Sequence, residues 1–189
     1  AILDIAIYAA NSGSVLLGDG RGGFGPALSF PTGITPAELR SGHFDGDQKL
    51  DLVVTSSVSK TILLLRGDGA GGFGLPTNVT GIAAPAAIAV GDWNGDTALD
   101  LAVANGASIG VLHGDGRGGF APPLQLLTTS TSNSNLVASD WNGDDKLDLA
   151  AIGSSTGNHV IRIFPGNGSG GFDTAIEIAS GGSAPARPG

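Results

Sequence analysis

The chain has 189 residues, a net charge of −8 and no cysteine. The negative balance argues against a nucleic-acid binder, which carries a basic face, and the missing thiols exclude disulfides, thiolate chemistry and zinc–thiolate sites. No apolar run is long enough to cross a bilayer as a helix, and the 33 glycines follow no Gly-X-Y period, so they point to strands and turns, not collagen.

The sequence opens on Ala1, without a methionine or a visible signal peptide, as expected of a mature product or a piece of a longer polypeptide. The first mark is Leu3-Asp4, and the same pair returns at Leu50-Asp51, Leu99-Asp100 and Leu147-Asp148. The aspartates are 47, 49 and 48 residues apart. A second mark follows each pair: Gly18-Asp19-Gly20-Arg21-Gly22-Gly23-Phe24, then Gly67 to Phe73, Gly114 to Phe120 and Gly166 to Phe172. Two marks with one period predict a repeat architecture. The repeats run over approximately 1–34, 35–83, 84–134 and 135–183, in one domain, with 184–189 as a tail or the start of a further strand.

The third repeat shows the elements most clearly. Four short strands are predicted, Ala86 to Gly91, Leu99 to Ala104, Ile109 to His113 and about Leu124 to Leu127. The first three are apolar throughout, as in strands covered on both faces. The Asp-rich stretch joins strands one and two, and the glycine turn joins strands three and four. Four antiparallel strands in each repeat of this length predict an all-β fold, a β-propeller of four-stranded blades. The first repeat begins at its second strand. The last residues, Ser183 to Gly189, align with Ala83 to Ala89, the entry to an innermost strand, but place Pro188 where Ile88 stands. A proline fits a central strand badly. First and last repeats are therefore expected to be incomplete, leaving open strand edges that invite pairing between subunits.

The Asp-rich stretches place oxygen donors at alternating positions around a glycine, which suits calcium. The third repeat offers Asp92, Asn94, Asp96 and Asp100, with the backbone carbonyl of Ala98. The fourth offers Asp140, Asn142, Asp144 and Asp148, with the carbonyl of Lys146. The second offers His43, Asp45, Asp47 and Asp51, with the carbonyl of Lys49. An imidazole suits calcium poorly, so this loop is expected to be weaker or empty. Asp4 is the remainder of a further loop. Trp93 and Leu99 are expected to point away from the ion and anchor the loop in the core. The competing reading is a metal-free turn, since Asp and Asn also bond their own backbone. A catalytic reading lacks a nucleophile beside the carboxylates.

The pattern Asp-x-Asn-Gly-Asp-x-x-x-Asp-Leu followed by Leu-x-Gly-Asp-Gly-x-Gly-Gly-Phe resembles the FG-GAP/VCBS repeats of integrin-α-like β-propellers. Phe24-Gly25 and Phe73-Gly74 carry the Phe-Gly pair; Phe120-Ala121 and Phe172-Asp173 depart from it. The resemblance covers nearly the whole chain. It implies calcium in the Asp-rich loop, propellers usually of seven blades, and extracellular adhesion or recognition more often than catalysis. It names no ligand.

Other motifs yield to context. Gly18 to Gly23 matches a dinucleotide fingerprint, but Phe24-Gly25-Pro26 follows where a helix is required. Arg66-Gly67-Asp68 spells an adhesion tripeptide inside a repeated turn, where other copies have Leu17, His113 and Pro165 before the glycine. Asn78-Val79-Thr80 and Asn167-Gly168-Ser169 are formal glycosylation sequons. Thr128 to Asn135 reads as a flexible polar connector, with O-glycan attachment as the sharper alternative. His43, His113 and His159 form no triad in sequence.

Hairpins one–two and three–four share one rim. The opposite rim carries the loops that vary between copies: Asn11 to Ser14, Ser56 to Lys60, Asn105 to Ser108, Thr128 to Asn135 and Ser154 to His159. Variable loops on a rigid scaffold are where recognition lives. The expected function is therefore a secreted, calcium-stabilised, non-catalytic module for binding or adhesion, with a protein or glycan ligand on that rim. Alternatives are a structural subunit assembling by edge-strand completion into a ring or fibre, and a part of a larger secreted enzyme. Neither nucleic acid nor membrane insertion is expected.

Overall fold

The computed structural model describes residues 3–9, 11–128, 132–155 and 158–179. Among these, all regular structure is extended. The first sheet contains β1 (Ile5–Ala9), β2 (Ser12–Leu16) and β3 (Leu28–Pro31). The second contains β4 (Glu38–Gly42), β5 (Asp51–Ser56), β6 (Thr61–Leu65) and β7 (Thr77–Val79). The third contains β8 (Pro85–Gly91), β9 (Asp100–Asn105), β10 (Ser108–Leu112) and β11 (Leu124–Leu127). The fourth contains β12 (Ser132–Ser139), β13 (Asp148–Ser155), β14 (Asn158–Phe164) and β15 (Ile176–Ala179). Each sheet is an antiparallel meander in chain order. The innermost strands β4, β8 and β12 pack side by side. This is a β-propeller of four blades, the first of which holds three strands.

Why the middle strands are apolar at every position is visible in the register. Leu101 pairs with Leu112 and Ala102 with Val111. Leu101, Val103 and Leu112 enter the core shared with the second blade, where they meet Val53, Ile62 and Leu64. Ala102, Ala104, Ile109 and Val111 enter the core shared with the fourth, beside Leu136, Leu149 and Phe164. A third core joins Val15 and Phe30 of the first blade to Leu52, Val54, Leu63 and Leu65 of the second. Both faces of β5 and β9 are thus buried, whereas β1 is exposed at all five positions.

One element corrects the sequence reading. Ser132 to Asn135, expected as part of a flexible connector, belongs to β12. Asn133 is buried and donates through Nδ2 to the Gly106 carbonyl at 3.0 Å. A bulge between Asn133 and Asn135 accommodates it. A polar strand start is therefore stabilised by a side-chain bond to the neighbouring blade. Residues 129–131 of that connector and the tail 180–189 lie outside the described residues.

Candidate metal loops and the rim that holds them

The three complete Asp-rich loops share one backbone course. Gly46, Gly95 and Gly143 have φ of 78°, 75° and 78°. Two residues later, Gln48, Thr97 and Asp145 also have positive φ, at 64°, 72° and 62°. A β-branched residue rarely adopts that conformation. In the third loop Asp92 holds it there: Oδ1 accepts the Gly95 N–H at 2.7 Å and Oδ2 the Thr97 N–H at 2.8 Å. Asp140 does the same for Gly143 and Asp145, at 2.7 and 3.0 Å. The Gly143 N–H, first among several backbone donors, holds the Asp140 carboxyl below its ordinary range. The inner donors repeat the pattern. Asp96 N–H bonds Asn94 Oδ1 and Ala98 N–H bonds Asp96 Oδ1, as Asp144 and Lys146 do in the fourth loop.

The closing aspartates Asp51, Asp100 and Asp148 are buried. In each, Oδ2 accepts the N–H of the loop aromatic: Phe44, Trp93 or Trp141 at 3.0, 3.0 and 3.1 Å. Oδ1 accepts the first N–H of the glycine turn: Gly67, Gly114 or Gly166 at 2.9, 2.8 and 2.8 Å. Asp4 repeats this bond to Gly18 at 2.9 Å. The carboxylate therefore locks two hairpins of one blade together. Sequence spacing presents it as a ligand; its role as a hydrogen-bond hub joins a donor seven residues before it to one brought from 14 or more residues after it. The first turn glycine is required by that approach, since a Cβ at Gly114 would overlap the Leu99 carbonyl oxygen.

The glycine turn also ties neighbouring blades. Gly118 N–H donates to the Phe44 carbonyl of the preceding blade, and Gly170 N–H to that of Trp93, each at 2.9 Å. Phe120 packs on Phe44 and Phe172 on Trp93, with ring centroids 6.2 Å apart in both pairs. Loop and turn thus lie on one rim, and Trp93 anchors its loop in the core with 1% exposure. Inside each turn, Asp19, Asp68 and Asp115 accept two turn N–H groups, which hold their carboxyls below the ordinary value of 3.8. Asn167 takes this place in the fourth blade, accepting from Ser169 and Gly171. The Arg66-Gly67-Asp68 tripeptide is engaged internally: Arg66 pairs with Asp45, and Asp68 with its own turn.

Can these residues hold calcium? The third and fourth loops offer carboxylate, amide and carbonyl oxygens without an imidazole, a set that fits a hard cation. A carboxylate has roughly four acceptor sites, so the two N–H bonds of Asp92 leave capacity. The second loop differs. His43 Nδ1 contacts the Lys49 carbonyl oxygen at 2.9 Å. Its three carboxylates, Asp45, Asp47 and Asp51, place oxygens within 4.8 Å of one another, the one such group among the described residues.

A family model described as an FG-GAP-like repeat matches residues 43–103 and again 92–151, more than half of the chain. The chain belongs to the FG-GAP-like repeat family. The two FG-GAP-like matches span the second, third and fourth Asp-rich loops. No curated protein matches the sequence. Among solved structures, an Agrocybe aegerita lectin that recognises non-reducing terminal N-acetylglucosamine is similar with a TM-score of 0.65 at 19% identity, covering 92% of this chain and 48% of that one. The Vibrio cholerae biofilm matrix protein Bap1 gives a TM-score of 0.45 at 17% identity, over 93% of this chain and 35% of that one. The chain thus spans about half the length of the first of these and less of the second.

Proposed function

We propose that this FG-GAP-like chain is a non-catalytic binding module, secreted, with calcium in the loops of its third and fourth blades and its ligand on the opposite rim. The observation behind the ligand side is a concavity of about 440 Å³ at the starts of the innermost strands. Tyr8, Glu38, Ser57, Ser134 and Asn135 supply its polar groups, beside Ala86 and Ala87. Hydroxyls, an amide and a carboxylate around a small apolar floor suit a sugar or a peptide loop. The histidines of the metal rim do not argue for catalysis: His43 faces the Lys49 carbonyl and His113 Nδ1 sits 3.2 Å from Asp100.

Calcium's part is structural in this reading. Asp92, Asn94 and Asp96, or Asp140, Asn142 and Asp144, would help to hold it, and its charge would offset the repulsion within each loop. Two measurements test the proposal. Thorough chelation is expected to lower the melting temperature, and Asp92→Asn with Asp140→Asn to abolish that response; an unchanged melting curve sinks the calcium claim. A glycan panel that includes terminal N-acetylglucosamine, with a protein-ligand screen beside it, tests recognition. Any hit is expected to weaken at least tenfold in Asn135→Ala, an effect of about 1.4 kcal/mol.

A second reading, assembly through blade edges, rests on β1. It pairs only with β2 among the described residues, and a cavity of about 760 Å³ lies beside it between Asp4, Ala6, Leu39 and Leu50. An unpaired edge next to such a space accepts a strand.

A further inference from the structure

We propose that the second blade's Asp-rich loop carries its own cation: the Arg66 guanidinium, assisted by Lys49, occupies the electrostatic role that calcium has in the third and fourth blades. Two carboxylates of this loop are paired with cationic side chains. Arg66 Nε lies 3.3 Å from Asp45 Oδ2, and Lys49 Nζ 3.1 Å from Asp47 Oδ2. His43 Nδ1 takes the Lys49 carbonyl oxygen, the backbone ligand the sequence offers. Asp51 accepts the N–H groups of Phe44 and Gly67. Arg66 is itself positioned by Thr77, whose Oγ1 accepts from Nη1 at 3.1 Å, and it reaches the Arg117 carbonyl of the next blade's turn at 3.5 Å.

Comparison between the blades gives the reason. Like charges at this range repel unless a positive charge lies among them. Among the described residues the three carboxylates converge only in the second loop, which is also the loop supplied with an Arg and a Lys. In the third loop no Lys or Arg among the described residues pairs with Asp92, Asp96 or Asp100. The position of Arg66 is held there by His113 and in the fourth blade by Pro165. The fourth loop has Lys146 on Asp144 at 3.5 Å and, among the described residues, no Lys or Arg paired with Asp140. His43 stands at the place of Asp92 and Asp140 and Asp45 at the place of Asn94 and Asn142, so the loop keeps three carboxylates but gathers them on the side that Arg66 and Lys49 reach. A guanidinium also fixes direction through its planar fork, so the loop keeps its shape without a spherical ion.

The inference rests on the calcium reading for the other two loops, and the experiment separates the two. Terbium luminescence or calorimetric titration with calcium on the full chain is expected to give two ions. His43→Asp with Arg66→Ala is expected to give three, and Asp92→Asn with Asp140→Asn none. Three ions in the parent, no gain in the His43→Asp/Arg66→Ala variant, or one ion surviving the loss of the other two loops overturns it. A double-mutant cycle of Arg66→Ala and Asp45→Asn, run in chelator, needs no calcium at all. Each single variant is expected to melt a few degrees lower, and the double variant little lower than either single. Additive shifts overturn the inference even if the parent binds no calcium, an outcome that by itself ends only the calcium reading.

Discussion

The carboxylate that closes each Asp-rich loop does more for the blade than its place in the repeat discloses. The buried Asp100 accepts from Trp93 and Gly114 and faces the half-buried His113. Its removal leaves the buried Trp93 N–H and the half-buried Gly114 N–H without an acceptor, at a cost of up to about 1–3 kcal/mol each. Asp100→Ala is therefore expected to lower unfolding free energy by about 2–5 kcal/mol in urea melts. Asp4→Ala, at an exposed side chain with a single bond to Gly18, is expected to change it by roughly 0.5 kcal/mol or less. Equal effects would remove the hub role. The repeat spacing made these aspartates legible as a set, because a recurring acid at a fixed distance from a glycine bend has few explanations. Which turn donors they meet was not legible: Gly67, Gly114 and Gly166 arrive from the other hairpin of the blade, and a linear pattern does not encode that meeting.

At the scale of the element, the glycine turn is a device for bringing N–H groups onto one carboxylate. Gly116 and Gly118, with φ of 66° and 81°, bend the chain so that Arg117 and Gly119 both donate to Asp115 Oδ1 at 2.8 Å. The same bonds hold Asp19 and Asp68 in the ionised form. Because each folded pKa lies below its unfolded value, the stabilisation is fully present above the ordinary value of 3.8. It is lost as the pH falls through the lower folded values, where the unfolded chain binds more protons. Asp19→Asn, Asp68→Asn and Asp115→Asn together are expected to flatten this acid limb, since Asn167 already makes the turn without a titrating group. Urea midpoints followed from neutral pH down to about pH 2 check this; an acid limb as steep as the parent's refutes it. Turn and middle strands were readable from sequence, one by its glycines and the others by apolar runs buried on two faces. β12 was not, because Ser132 to Asn135 are polar and their strand is stabilised by the Asn133 bond to Gly106, a contact between blades.

At the scale of the molecule, each blade uses the next one as its cover. Trp93 is 1% exposed because Gly170 and Phe172 of the following blade close over it, whereas Trp141, at the same loop position, is 44% exposed. The register puts Val137, Ile161 and Ile178 together on the fourth blade's open face, with Val137 opposite Ala150 and Ile161 between Ile152 and Ile178. All three are exposed, as are Ile5 and Ile7 on β1 at the other end of the array. We propose this apolar face as an interaction surface, with the free edge of β1 at the other end of the array as its counterpart. In the strand-addition reading, the two ends of the array meet between copies. Light scattering at tens of micromolar is then expected to give a mass above that of the monomer, falling to the monomer in Val137→Lys with Ile161→Lys. A charge on this face leaves the three buried cores intact, so the variant is expected to keep the parent's circular dichroism and chelator-sensitive melting. A parent chain that is already a monodisperse monomer excludes self-assembly and leaves the connection rim as the surface on which a partner has to be sought.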